Sequence, residues 1–370
     1  MRITSVEIRA CELTALAEVD KNLLRGGAPP DVVVITVHTE AGVAGTSFGF
    51  GGLKAGHTMH TYAQAAPFFV GRDPMARAKN AAEFRGFDRR WNHVPIYVYG
   101  PYDNACWDIA GKVANLPVHQ LLGSSRDRVP VYASSMTLAD PAAYLDEALA
   151  AQRDGFHGYK LHPPGDWRVD LELYAAVREA VGPDFTLMAD PVATYTYDQA
   201  LRVGRALEAL DYAWYEEPLY DYDLAALKKL SAALEIPVVG TETIVGGTRL
   251  TAQFLAQDAV DIVRTDVSWR GGVSSVMATA HLAEAFGVSC ELHTTIYHPL
   301  ELVNLQCSLA VTNCEYFEVL YPMEQFAFGL AAPMDIRADG YIYPSSLPGL
   351  GIDYDWSAID AATTQRIVVD

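Results

Sequence analysis

The sequence predicts an α/β protein built on a (β/α) barrel with a smaller partner domain. Three observations carry that reading. Through the middle of the chain, short β-branched or aromatic runs alternate with amphipathic helical stretches, an order that calls for parallel strands joined by right-handed crossovers. Eight such runs are readable, and they occupy roughly 200 residues, the usual size of a barrel. The whole chain has 370 residues, more than one compact core usually takes, so a second unit is expected.

The strands read, in order, as "VPVYASS", "GYKLH", "FTLMAD", "AWYEEP", "PVVGTE", "DIVRTD", "VSCELH" and "YFEVL". Between them lie helical stretches. "LELYAAVREAV" (171–181) sets Leu171, Tyr174, Ala175 and Val181 near one face, and "DLAALKKLSAAL" (223–234) has the same 3.6-residue period. A polar residue ends each of six consecutive strands: Asp190, Glu216, Glu242, Asp266, His293 and Glu318, at intervals of 24–27 residues. One strand–helix unit separates each from the next. Strand ends converge on one mouth of a barrel, where catalytic groups sit. Lys160 and His162, two apart in "GYKLHPP", face the same side of their strand and join them.

A single acidic residue after a strand is commonly just the cap of the next helix, and Asp190 and Asp266 each admit that explanation. Six consecutive strand ends do not. Three carboxylates on adjacent strands with no basic neighbour would repel unless a cation held them. Hard oxygen donors suit Mg²⁺. Zinc is disfavoured, because no cysteine or paired histidine stands at zinc spacing. Glu216 and Glu217 are adjacent, so alternation lets only one of them face the mouth.

Composition narrows the partners. Half the residues are apolar and a fifth are charged, as in ordinary globular proteins. The net charge of −19 makes nucleic acid and anionic membrane surfaces poor partners. No stretch approaches the roughly 20 apolar residues of a membrane span. The five cysteines, an odd number without a C-x-x-C pair, and the lack of an N-terminal signal segment favour free thiols and a cytoplasmic location.

The ordered set Lys-x-His, Asp, Glu, Glu, Asp, His, Glu resembles the mandelate racemase-like subgroup of the enolase superfamily. The local stretches "DNACWDIAGKVANLPVHQLLG" (103–123), "WYEEP" (214–218), "TDVSWRGGVS" (265–274) and "LPGLGI" (347–352) agree with it. The resemblance spans nearly the whole chain. It implies a modified (β/α)7β barrel over residues 125–325, an α+β capping domain over 1–124, and a C-terminal segment, 326–370, that packs back on the cap. Matched residue by residue, Asp190, Glu216 and Glu242 look like the ligands of one Mg²⁺ per chain. His293 looks like a catalytic base with Asp266 as its partner, and Glu318 like a hydrogen-bond donor to the substrate carboxylate. Lys160 matches the first lysine of the family's Lys-x-Lys motif, while His162 stands where most relatives place the second. Two further departures are Val192, where many relatives have asparagine, and a longer segment after His293 that adds His298.

The implied chemistry is abstraction of the α-proton of a small carboxylate substrate through an enediolate, with Mg²⁺ and Glu318 stabilising the charge that develops. Glu318 would have to be protonated, its pKa raised by burial and nearby carboxylates. Two bases on distant strands allow dehydration of a sugar acid to a 2-keto-3-deoxy acid, which the Asp–His pair favours. Racemisation or epimerisation, and a lactone cycloisomerisation, would use the same first step. A non-catalytic binding protein on the same barrel would have lost a ligand or the pair, and neither is lost. Substrate choice falls to two capping-domain loops, offering Arg25 in 18–30 and Lys54 and His57 in 49–60. Ser135, at the end of the first barrel strand, is expected to reach the substrate carboxylate. A homo-oligomer is expected.

Overall fold

The computed structural model describes residues 1–13, 31–52 and 54–370. The chain begins with three antiparallel strands, β1 (Ile3–Cys11), β2 (Asp31–Thr39) and β3 (Ala44–Gly52). Helices α1 (Ala55–Phe69), α2 (Arg77–Phe87), α3 (Ile96–Ala114) and α4 (Val118–Leu122) follow. The barrel then alternates as expected: β4 (Val129–Ser134), α5 (Pro141–Arg153), β5 (Gly158–Leu161), α6 (Trp167–Val181), β6 (Thr186–Ala189) and α7 (Tyr197–Ala209). It continues through β7 (Trp214–Glu216), α8 (Leu224–Ser231), β8 (Val238–Gly240), α9 (Gly247–Ala256), β9 (Ile262–Thr265) and α10 (Val273–Ala285). Last come β10 (Ser289–Leu292), α11 (His298–Ser308) and β11 (Phe317–Leu320). Eight parallel strands with seven intervening helices make a (β/α)7β barrel.

The parallel ladder runs from β10 back through β4 and on to β11. Thr294, just past β10, donates its N–H to Glu318 on β11 at 3.0 Å, which joins the two ends of the ladder at the mouth. Local sequence sets the helix starts. Asp140, Asp166 and Asp223 each accept an N–H from the first turn of α5, α6 and α8, and Thr196 with Gln199 forms a capping box on α7. Within α6 the buried stripe is Leu173, Tyr174, Val177 and Val181. Ala175, read from the sequence as part of the inner face, is exposed, and Leu171 is half-buried. The inner face is centred about one position away from the one expected.

The C-terminal segment is shared between the two units. A short strand β12 (Tyr341–Ile342) pairs antiparallel with the first residues of β4. Helix α12 (Trp356–Ala362) then leads into β13 (Thr363–Val369), which pairs with β1 and completes the four-stranded capping sheet in the order β13-β1-β2-β3. Of the segment 326–370, β13 thus packs on the cap and β12 extends the barrel sheet. One apolar core lies between barrel strands and helices, and a second between the capping sheet and α1–α3. All five cysteines are buried free thiols. No helix among the described residues is long and apolar enough to cross a membrane.

Helix α3 presses directly on the loop that follows β9. A Cβ on Gly100 would lie 2.8 Å from the Val267 carbonyl oxygen and 3.0 Å from that of Ser268. Only glycine lets the helix backbone come so near. Gly100→Ala is expected to lower unfolding free energy by about 1–3 kcal/mol, as overpacking does. Urea unfolding reads this out; a parental midpoint would mean that the cap slides aside without cost.

Candidate active site

Alternation along the barrel strands puts one layer of side chains inside: Tyr132, Met188, Trp214 and Val239 pack together there. Asp190 and Glu216 stand two residues beyond Met188 and Trp214, so the same pleat carries them inward just above that layer. Glu242 stands three residues beyond Val239 and would point outward by alternation. Thr241 corrects this with a left-handed backbone, φ 78°, at a β-branched residue where such a conformation is strained. The surrounding fold enforces it. Thr241 donates its hydroxyl to the Arg264 carbonyl at 3.0 Å, and the Arg270 guanidinium bonds the Thr241 carbonyl.

One oxygen of each of Asp190, Glu216 and Glu242 lies within 4.8 Å of the others. The two aspartates of the site divide their oxygens between jobs. Asp190 Oδ1 accepts the Val192 N–H at 2.9 Å, while Oδ2 faces His162 Nε2 at 3.0 Å and Lys160 Nζ at 3.3 Å. Asp266 Oδ1 accepts from the Ser268 N–H, the Ser268 hydroxyl and the Trp269 N–H, and Oδ2 faces His293 Nδ1 at 3.6 Å. Neither aspartate caps the next helix, since Thr196 caps α7 and Gly272 precedes α10; each closes its own turn with one oxygen and turns the other to a neighbour in the site. Val192, in a left-handed conformation (φ 52°), is 45% exposed, so it closes the turn and leaves the Asp190 carboxylate to its own neighbours.

The expectation that the carboxylates lack basic neighbours is corrected. Lys160 is fully buried, with Nζ 3.0 Å from Glu216 Oε2 and 2.8 Å from Glu318 Oε1. Arg264, also fully buried, donates Nε to Glu216 Oε1 at 2.7 Å and bonds Glu318 Oε2 with a terminal nitrogen. Sequence reading passed over Arg264. The signal was available: it stands two residues before Asp266 and therefore shares its face.

These cations also reverse the expectation for Glu318. Burial pushes its pKa up, but Lys160, Arg264 and His293 outweigh burial and hold it well below the usual carboxylate range. Glu318 is a carboxylate here and accepts hydrogen bonds. At Asp190 the balance is the same: burial raises, His162 and Lys160 lower, and the net shift is down. Away from the two cations the sign changes. Glu242 is pushed up to about 7 by burial, with Glu216 and Asp190 adding to it against the opposing pull of His293. Glu217 is pushed well above the carboxylate range by burial and by Glu242. It takes the left-handed turn after β7, φ 37°, and its Oε1 accepts the Glu242 N–H at 3.2 Å.

The two histidines flank the triad from different strands. His162 Nδ1 lies 2.6 Å from the Ser135 carbonyl, and the backbone N–H of His162 donates to Ser135 Oγ at 2.9 Å. Nδ1 is therefore the donor nitrogen, and Nε2 is the one turned to the site. His293 Nε2 lies 3.2 Å from Glu242 Oε1, and the His293 carbonyl is held by Asn304 at 2.7 Å. Burial lowers the His293 pKa, but Glu242, Asp266 and Glu318 raise it more, to about 9. Ser135 supports His162 with both its oxygens. Lys54 and His57 are exposed at the start of α1, and among the described residues neither side chain bonds to the charged cluster. Arg25 lies outside the described residues. His298 is the first residue of α11, buried, with its pKa lowered by burial to about 4.

Three hard oxygen donors on rigid strand ends, with like-charge repulsion at Glu242 and Glu217 still unrelieved by the two cations, fit a bound divalent ion. A family profile described as enolase C-terminal domain-like matches residues 143–358. One described as mandelate racemase / muconate lactonizing enzyme, N-terminal domain, matches residues 28–123. The chain belongs to this family. Arabinonate dehydratase of Saccharolobus solfataricus is 37% identical over 191 residues, a match spanning only 50% of each chain. L-talarate/galactarate dehydratase of Salmonella typhimurium is 28% identical over 350 residues, 90% of this chain and 83% of that one. The crystal structure of D-glucarate dehydratase from Agrobacterium tumefaciens complexed with magnesium superposes with a TM-score of 0.86 at 31% identity, covering 99% of this chain and 100% of that chain. A cycloisomerase and a racemase also match.

Glu301 gives the site a pH signature. It is buried on α11, where its Oε1 accepts the Thr295 N–H at 2.6 Å and the Thr294 hydroxyl. Burial raises its pKa to about 8 despite these bonds. A raised folded-state value contributes stability that is full below the unfolded pKa and is lost as pH rises through the folded one. Glu301→Gln, which cannot ionise, should therefore gain stability relative to the parent between about pH 5 and pH 9. Chemical denaturation at both ends of that range measures it. A constant difference would show that Glu301 is already ionised at the lower pH.

Proposed function

We propose that this member of the mandelate racemase / muconate lactonizing enzyme family dehydrates a sugar acid to a 2-keto-3-deoxy acid, with Mg²⁺ held by Asp190, Glu216 and Glu242. The observation that carries the reading is the pair of imidazoles on opposite sides of one carboxylate triad, His162 against Asp190 and His293 against Glu242. Loss of water across two carbons needs two proton-transfer groups, and the site offers two. Mg²⁺ bound there would supply fixed positive charge against the negative charge that the substrate carboxylate gains when its α-proton leaves.

The chain's own residues do the rest. His162, with Nδ1–H committed to the Ser135 carbonyl, presents an unprotonated Nε2 when neutral and takes the α-proton. His293, backed by Asp266 at 3.6 Å, gives a proton from Nε2 to the β-hydroxyl, which leaves as water. The enol left behind gains a proton at the β-carbon and loses one from its hydroxyl, so the net change is loss of one water. Lys160, with its three donors turned to Glu318, Glu216 and Asp190, offsets charge beside the metal ligands. Glu318, ionised between Lys160 and Arg264, serves to hold Lys160 in place. The relatives' named activities support the substrate class: arabinonate, talarate, galactarate and glucarate are all acid sugars.

Screening acid sugars for 2-keto acid formation, with and without chelator, tests the reading. Turnover should require Mg²⁺, and full activity of the chelator-treated enzyme would sink it. α-Proton exchange in D₂O without any 2-keto acid would make the protein a racemase or epimerase instead.

His162→Asn should reduce turnover by about 10²–10⁴-fold, the usual worth of a general acid or base. Near-normal rates would leave His162 structural and pass its work to Lys160. Asp266→Asn should lose most of what His293→Asn loses, and the double variant should be little worse than the weaker single one. Multiplicative losses would reduce Asp266 to a turn cap.

A further inference from the structure

We propose that Arg264 is a positioning residue for this reaction: its guanidinium closes a buried ring with Glu216, Lys160 and Glu318, and so fixes a metal-ligand carboxylate and the anchor of Lys160 in one frame. The proposal rests on the reading of Glu216 as a Mg²⁺ ligand. In the ring each carboxylate oxygen has its own cation. Glu216 gives Oε1 to Arg264 at 2.7 Å and Oε2 to Lys160 at 3.0 Å. Glu318 gives Oε2 to Arg264 and Oε1 to Lys160, the latter at 2.8 Å. All four side chains are 0% exposed.

The remaining donors of the guanidinium extend the frame. One terminal nitrogen bonds the carbonyl of Leu292, the residue before His293, at 3.1 Å. The other also lies 3.3 Å from the Tyr132 hydroxyl. From β9, Arg264 therefore grips β7, β10, β11 and β4. A donor fixed on Glu216 Oε1 leaves Oε2 as the oxygen turned toward Lys160, which itself stands 3.3 Å from Asp190. Rotation of either carboxylate would break a bond to a fully buried cation. Lysine could match the charge, but only a planar fork reaches two carboxylates and a carbonyl at once.

The test is calorimetric titration of Mg²⁺ into the parent, Arg264→Met and Arg264→Lys, each also followed through its unfolding transition. Arg264→Met should bind Mg²⁺ about 10–100-fold more weakly, as loss of a group that orients a metal ligand does. Arg264→Lys should stay within about threefold of Arg264→Met, since one ammonium cannot bridge the same partners. Parental affinity in Arg264→Met would overturn the proposal. Full recovery in Arg264→Lys would overturn it too, by reducing Arg264 to a charge. If Arg264→Met does not fold, Arg264→Lys against the parent still decides, because parental affinity there is the overturning result. A parent that binds no Mg²⁺ would instead sink the metal reading itself, whereas a binding parent with unaltered variants would sink only the role of Arg264.

Discussion

Carboxylates taken out of water must be matched by cations, and the mouth of this barrel is arranged around how that demand is met. Glu216 and Glu318 are matched in full by Lys160 and Arg264, in a ring with no net charge. Breaking such a buried pair by deleting one partner typically costs about 3–5 kcal/mol, so the throat is both neutral and stiff. Farther from these two cations the match is incomplete. There Glu242 is pushed up to about 7 and His293 to about 9. The site thus has one half fixed by two cations and another, around Glu242 and His293, whose pKa values are pushed up toward or above neutrality.

Rigidity elsewhere in the site comes from the same economy of atoms. Asp190 and Asp266 each use one oxygen to close their own turn and keep the other for a neighbour. His162 is held through its backbone N–H and its Nδ1 by a single residue, Ser135. His293 is held through its carbonyl by Asn304, which also accepts the Val267 N–H at 3.1 Å. Groups fixed before substrate arrives need no reorganisation when charge develops, and that preorganisation is the larger part of electrostatic catalysis.

The capping domain enters this network at the loop after Asp266. Phe50, near the end of β3, stacks on Trp269 with ring centroids 4.4 Å apart. Asn104 on α3 donates to the Val267 carbonyl at 3.2 Å and accepts the Val273 N–H at 3.0 Å. The loop that carries the partner of His293 is therefore built at the seam between the two units.

The sequence by itself determined the barrel and most of the mouth. Strand and helix periods are local properties, and residues two apart on a strand share a face; that logic reaches Lys160, His162, Asp190, Asp266, His293 and Glu318, and leaves Glu216 and Glu217 as alternatives. It fails at Glu242, whose inward turn requires a strained Thr241 that only neighbouring strands enforce. It also fails for ionisation. "Glu318 is buried among carboxylates" is a statement about sequence neighbours on adjacent strands, and it predicts a raised pKa; the opposite result follows from two cations that reach Glu318 from β5 and β9. The hold of Ser135 on His162, 27 residues away, is likewise a contact between strands. Which face a side chain takes is written in the local period, whereas which charges it meets is a matter of distances across the barrel, and those exist only once the strands have closed.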